Sequence, residues 1–543
     1  MAKPKRARSA APAPRHLPEW LVPTAVLAAL AVAVYASSLA NGFVSDDKIQ
    51  LLANPMVRSV SQIPRIFGSG VWAVWDPAHP GNYYRPFQFL VYLTLYEVFG
   101  FSAPVFHLFM VLTHAANTVL LYGLVRRLTP GRLAFGAAAL FAVHPIHTEV
   151  VDWIAAVPDL MVTTLVLAGV WWLARQSGAP RGLAIAGHSG IYLAALLTKE
   201  TGIVLLPLYL GFASIYYGRG IWTELRQNAR LYAAMAATLG VYVPIRLAAL
   251  GGMAPGQEAF FAMNPVEFAL SAVVTAAQYL AALLWPANLS YFHIFHPVRS
   301  LTPVALISML AWAAMAVIFF RVRTPLVAFG LFWLAATLAP ALNLTGVGQN
   351  VFAERYLYLP SAGFCWIAAW AWDRLARYKR AWATAGGVAL LLCGAARTVV
   401  RNGDWRDDYT LFQLTLRQSP TSGWLHNWMA GAHVQRNEFS QALAEERLAV
   451  QYEPNVPGFQ ENLGNILLVT DPRAALEEFR KLLALQPDRS QNHSDLGLAL
   501  EATGKLPDAA AEFQTALRLQ PDNQEAREGL PRVQARLRKD PVR

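Results

Sequence analysis

Cysteine is nearly absent: Cys365 and Cys393 are the only thiols in 543 residues, and both sit in apolar stretches. That excludes a disulfide framework and a cysteine-ligated metal, and leaves the redox compartment unread. Charge is scarce as well. Asp, Glu, Lys and Arg make up 15% of the chain against 55% hydrophobic residues, with mean hydropathy +0.32. Such a balance excludes an ordinary soluble protein of this length. Acids are scarcer than bases, 34 against 45, for a net charge of +11. A basic balance can serve nucleic acid. Here Lys and Arg fall in short runs between apolar segments, as cytoplasmic loop ends do, so no nucleic-acid partner is expected.

What the chain has instead is a ladder of twelve apolar stretches, near 17–40, 104–125, 133–150, 157–174, 183–198, 201–217, 231–250, 266–285, 302–320, 325–343, 356–373 and 382–399. The basic clusters Arg126/Arg127/Arg132, Arg175/Arg181, Arg219/Arg226/Arg230, Arg321/Arg323 and Arg374/Arg377/Lys379/Arg380 mark the cytoplasmic side. Alternation accommodates all five only if one stretch between 231 and 301 fails to cross, and 266–285 is the candidate re-entrant or interfacial helix. About eleven spans follow, in an all-α membrane domain over 17–400. The segment 1–16, with five basic residues and no acid, is placed in the cytoplasm. The run from Leu17 to Ala40 is too long for a signal-peptide core and reads as an uncleaved anchor.

On this topology the external face collects 41–103, the turn at 144–157, Lys199/Glu200, 251–264, 286–300 and 344–355. The first is a loop of some 60 residues, a length that in a compact membrane protein marks a functional or separately folded element. Its Trp and Tyr read as interfacial anchors.

From Arg401 the composition turns soluble. Prolines 420, 454, 487 and 521 stand 34, 33 and 34 residues apart, the period of tetratricopeptide repeats. Aligned on them, Ala430, Gly464 and Gly497 occupy the small position of the first helix of each unit, and Ala442, Ala475 and Ala509 that of the second. Three repeats are expected, near 421–454, 455–487 and 488–521, preceded by a half-unit and followed by a basic capping helix. Together they form an α-solenoid over 401–543.

Ionisable groups at a membrane edge are costly unless they face a cavity or a surface. In "NGFVSDDKIQ" Asp46 and Asp47 follow the anchor, where two solvated loop acids would be the plain explanation. Their company argues otherwise. "NYYRPFQFL" brings Arg85; "FAVHPIHTEVVDW" brings His144, His147 and Glu149; "LLTKETG" brings Lys199 and Glu200; "FAERYLYLPSAGF" brings Glu354 and Arg355. That face holds carboxylates suited to general-base or metal work and cations suited to an anionic phosphate. His144 and His147 either share a helix face and bind metal with Glu149, or hydrogen-bond backbone where Pro145 ends the helix. Lys199 and Glu200 either contact a ligand or pair with each other.

The ordered blocks "SDDKIQLLANP", "YRPFQFLVY", "FHLFMVLTHAANTVLLYGL", "LFAVHPIHTEVVDWIAAVPDL", "LLTKETGI" and "ERYLYLPSAGF", followed by the repeats, resemble the transmembrane and tetratricopeptide repeat-containing O-mannosyltransferases and their bacterial relatives. That family belongs to the GT-C class, polytopic glycosyltransferases that take sugar from a polyprenyl phosphate. The resemblance implies that Asp46 stands at the catalytic acid of the first external loop and Asp47 at its acidic neighbour. It further implies that Arg355, with Lys199 and Arg85, contacts the lipid-linked phosphate. The remaining blocks supply supporting groups at His144, His147, Glu149, Glu200 and Glu354, and Asp46, His147 and Glu149 are the donors open to a divalent metal. "AVPDL" stands where the family usually has "GRADL", so an Arg is missing near Asp159.

The expected activity is transfer of a sugar from a polyprenyl-phosphate donor to a hydroxyl of a protein or glycan, with inversion, on the non-cytoplasmic face. The Ala- and Arg-rich composition points to a bacterial inner membrane, with the repeats periplasmic and free to bind an acceptor or a partner protein. The alternative is a non-enzymatic membrane scaffold that recruits partners through its repeats, which would not require the convergent acids and bases. A transporter is disfavoured because the apolar pattern shows no internal duplication.

Overall fold

A computed structural model describes residues 18–75, 81–176, 178–252, 261–321, 324–344 and 350–539. The basic segment 1–16 and Arg323 of the fourth basic cluster lie outside the described residues. Among the described residues each of the twelve apolar stretches is largely helical. Among the described residues seven helices are long and apolar enough to cross a membrane, or nine if each of two bent pairs is one span. Two further apolar helices, Leu21–Val34 and Leu183–Thr198, are shorter than the roughly 20 residues a bilayer core demands.

The first of the two bends falls at the candidate residues His144 and His147. Gly131–Val143 stops one residue before His144 because Pro145 removes a donor and clashes with a continuing helix; the chain resumes over Pro145–Asp152 at 50°. Glu200–Tyr216 and Ile221–Gln227 meet at 112°. The stretch expected to be a re-entrant or interfacial helix is one unbroken helix, Pro265–Leu284, opened by an Asn264–Glu267 capping box. Its 20 residues extend roughly 30 Å, enough to cross. The segment 41–103, expected to be an external loop, is helical in part of its described residues: Lys48–Leu52 is a π-helical turn and Pro86–Phe99 a 14-residue helix started by its proline.

Two compact units emerge. The first comprises the described residues within 1–287, 297–348 and 354–403. In it Ala103–Leu128 packs against Val157–Arg175, Gly131–Val143 and Leu21–Val34, around fully buried Leu27, Ala31, Phe141 and Val166. Pro325–Leu338 and Tyr358–Ala376 approach closely at Gly363, where an added Cβ would lie 2.7 Å from the Gly330 carbonyl oxygen. Close backbone approach of this kind is how membrane helices gain dispersion contacts that lipid cannot supply better. At the end of Arg380–Asn402, Asn402 donates to the Val34 carbonyl at 2.9 Å and accepts from Asn41 at 2.9 Å, fastening this helix to the segment that follows Leu21–Val34.

The second unit comprises 404–543 together with two short segments, 288–296 and 349–353. Helix pairs Gly423–Gln435/Phe439–Tyr452, Pro457–Thr470/Pro472–Leu485 and Ser490–Ala502/Leu506–Leu519 form the three repeats, and Gln524–Lys539 caps them. Prolines 454, 487 and 521 each fall just past a second helix, which they prevent from continuing. The segment 288–296 joins this unit because its aromatics need burial: Tyr291 stacks edge-on against Trp405 at 5.5 Å and lies 5.9 Å from Trp428, while Leu289 accepts a hydrogen bond from Gln418.

A Cβ on Gly464 would meet the buried Phe479 ring at 2.4 Å, so the period-matched small position is a packing requirement. Gly464→Leu is expected to cost about 1–3 kcal/mol through overpacking. Adding Phe479→Ala should recover part of that loss in a double-mutant cycle on the full chain, read by denaturant unfolding; strict additivity would show that the two do not touch.

Candidate functional site

The acidic pair divides on folding. Asp47 is fully buried and its carboxylate accepts from two backbone N–H groups, Val44 at 3.0 Å and Ala155 at 2.7 Å. It therefore ties the segment after the first helix to the turn ahead of Val157–Arg175. Asp46 stays partly exposed and accepts only a long hydrogen bond, 3.4 Å, from Gln50. Ser45, just before it, is held at φ 51°, a left-handed conformation unusual for a residue with a Cβ. Burial pushes the Asp46 carboxyl up to about 6, against the opposing pull of the Arg355 charge.

Arg355 is the hub. Its backbone N–H donates to Glu149 Oε2 at 2.9 Å and its Nη1 to Glu149 Oε1 at 2.5 Å, so both oxygens of a fully buried carboxylate hold one residue. The guanidinium lies over Trp153 at 5.3 Å and Tyr356 at 4.8 Å. From Glu149 the chain runs into the helix carrying Asp159, whose Oδ1 accepts from Lys199 Nζ at 2.5 Å. Burial lowers the Lys199 ammonium below its usual value, opposed by Asp159. Glu200 reaches the other way: it takes Arg85 Nε and Nη2 at 3.2 Å each and the Tyr84 N–H at 3.1 Å. The adjacent Lys199 and Glu200 thus pair with separate partners rather than with each other.

Arg85, Lys199, Arg246 and Arg355 line one cavity of about 310 Å³ with Asp159 and Glu200. Tyr83, expected as an interfacial anchor, also lines it and lies under Arg85 at 4.5 Å. Four cations against two carboxylates leave the wall cationic, suited to a phosphate. Asp46 does not line the cavity; its link to it runs through Arg355.

Other candidates lie elsewhere. Glu354 is buried in an ion pair with Arg401 at 2.7 Å, and Arg401 also donates to Thr148 Oγ1 at 2.6 Å. His144 bonds the Leu283 carbonyl and, as a cap, the Ile146 N–H. His147 bonds the Phe141 carbonyl at 2.9 Å and Ser361 Oγ at 2.8 Å. With both His147 nitrogens and both Glu149 oxygens engaged, these two do not fit a divalent ion alongside Asp46. Among the described residues no group of three His, Cys, Asp or Glu is placed to hold a metal.

Two cavity residues escape a reading of loops: Asp159 and Arg246, each inside an apolar helix. An isolated charge in such a helix was the available signal, since it must be matched or face a cavity. Arg246 donates to the Asn82 carbonyl at 2.7 Å.

Fold and site together define a multi-pass membrane protein with a carboxylate-braced cationic cavity and a C-terminal helical-repeat unit. In sequence the chain is related to the protein O-mannosyl-transferases. It is 26% identical to TMTC3 of Mus musculus over 81% of this chain and 52% of that protein, and 27% identical to TMTC4 of Mus musculus over 72% and 61%. F38B6.6 of Caenorhabditis elegans, likewise a protein O-mannosyl-transferase, is 25% identical over 74% and 58%. The chain thus spans about half the length of TMTC3. No family model matches. Among solved structures, ArnT from Cupriavidus metallidurans bound to undecaprenyl phosphate superposes with TM-score 0.36 at 16% identity, covering 86% of this chain and 80% of that one, too loosely to carry an argument.

The raised Asp46 carboxyl makes a pH-dependent stability signature. A folded-state value of about 6 above the ordinary 3.8 means that the folded chain binds the proton more tightly, so stability is lost as pH rises through that window. Asp46→Asn should therefore raise the melting temperature at pH 7 and leave it unchanged near pH 3.5. A fall at pH 7 would mean that the carboxylate is held ionised by favourable contacts.

Proposed function

We propose that this chain is a GT-C-type glycosyltransferase that moves a sugar, mannose by analogy with its relatives' names, from a polyprenyl phosphate to a hydroxyl of a protein or glycan. The observation that carries the reading is the cavity lined by Arg85, Lys199, Arg246 and Arg355, three of whose cations are held by Glu149, Asp159 and Glu200. A donor phosphate seated against Arg355, Lys199 and Arg85 would bring the sugar's C1 towards Asp46, whose carboxylate, unlike that of Asp47, is not spent on backbone.

In the step itself, the acceptor oxygen attacks C1 as its proton passes to the Asp46 carboxylate. The C1–O bond to phosphate breaks, and the polyprenyl phosphate leaves with its added negative charge against the cavity's cations. Direct displacement inverts C1. Asp47 holds the segment in place, and Glu149, Asp159 and Glu200 orient the cations. No step requires a metal held by Asp46, His147 and Glu149. The repeats offer a concave surface to an acceptor or partner protein, on the periplasmic side of a bacterial inner membrane.

Membrane vesicles supplied with radiolabelled polyprenyl-phosphate mannose are the test. Asp46→Asn should lower transfer by about 10²–10⁴ with insertion intact, and wild-type transfer should rise with pH through about 6 as the base ionises. Wild-type rates from a well-folded Asp46→Asn protein would overturn the assignment. A compartment-sensitive reporter fused after residue 543 should report the periplasm, and a cytoplasmic signal would separate the repeats from the active face.

A further inference from the structure

The helix Val157–Arg175 carries Asp159 of the cationic cavity near its first turn and Arg175 at its last residue. Those 16 positions correspond to roughly 24 Å along the axis, close to the thickness of a bilayer core. At the far end a second cavity opens, about 610 Å³ in volume, and Arg126, Arg127 and Arg175 all line it. No carboxylate does, among the described residues.

This cavity is not simply a cluster of solvated arginines. Arg175 lies over the Trp171 ring at 4.7 Å and Arg126 over Tyr122 at 6.0 Å, while Arg127 Nε reaches the Ala174 carbonyl at 3.5 Å. Stacking on an aromatic face fixes a guanidinium in direction without neutralising it. Ala103–Leu128 and Val157–Arg175 both end here, and each C-terminus contributes roughly −0.5 charge. Three guanidinium groups against about one negative equivalent leave the cavity near +2. Trp20, 49% exposed at the start of Leu21–Val34, also lines the cavity, and an amphipathic ring of this kind favours headgroup depth.

We propose that this cavity binds the phosphate of an anionic membrane phospholipid, on the membrane face opposite the proposed active site. The observations suit that occupant: surplus positive charge with oriented donors, apolar walls from neighbouring helices, and an aromatic ring of a kind that favours interface depth. The site is independent of the glycosyltransferase reading.

The test uses the purified, delipidated full chain in detergent, titrated with phosphatidylglycerol and followed by native mass spectrometry. Phosphatidylcholine and inorganic phosphate serve as comparison ligands. Phosphatidylglycerol should bind in preference to phosphatidylcholine, less tightly as salt rises. The double substitution Arg126→Gln/Arg175→Gln should weaken it roughly 30-fold, from about one unit of surface electrostatic attraction per basic residue. Arg126→Lys/Arg175→Lys should retain most of the affinity, which separates loss of charge from loss of fold. Arg181→Gln, an exposed basic residue outside the cavity, should change nothing. Equal binding of the two lipids, an unaffected Gln/Gln variant, or displacement of phosphatidylglycerol by millimolar inorganic phosphate would each overturn the proposal.

Discussion

A full charge held away from water must be matched, and that requirement organises the membrane unit. Arg355 lies on Glu149 at 2.5 Å, Lys199 on Asp159 at 2.5 Å, Arg85 on Glu200 at 3.2 Å and Arg401 on Glu354 at 2.7 Å. Each pair joins segments distant in the chain, 206 residues apart for Arg355–Glu149 and 115 for Arg85–Glu200. Removing one partner of such a pair leaves an uncompensated charge at a cost of about 3–5 kcal/mol. The pairs therefore act as staples between helix ends as well as parts of a site.

Bracing has a chemical consequence. Cations already oriented by Glu149, Asp159 and Glu200 need not reorganise to meet an anion, and cations that stabilise charge without reorganising are the most effective kind. Asp46 is treated in the opposite way. It is given one weak hydrogen bond, a strained neighbour in Ser45, and only Arg355 to ease its burial. Its neighbour Asp47 takes the structural duty, so two adjacent identical residues end in different environments because one faces backbone N–H groups and the other does not.

The two ends of one helix also differ in how they hold charge. Val157–Arg175 presents an acid paired with Lys199 at one end and a stacked Arg at the other. The repeat unit is a different kind of object, built by nearest-neighbour helix packing at Gly464 and Gly497.

Apolar stretches and the proline period were local properties, and they were sufficient for the helices: each stretch is largely helical among the described residues, and each repeat closes at its proline. The candidates Asp46, Arg85, Lys199 and Arg355 were legible because charge at a membrane edge is conspicuous against 55% hydrophobic residues. Asp159 and Arg246 were hidden by lying inside apolar helices, and charge bias along 266–285 does not report that this stretch is one continuous helix. What only the tertiary structure decided was partnership. Lys199 leaves Glu200 for Asp159, His147 turns to Phe141 and Ser361, and Asp47 rather than Asp46 is spent on backbone. Those choices depend on which groups a helix bend or a crossing brings within about 3 Å, and no local run of residues contains that distance.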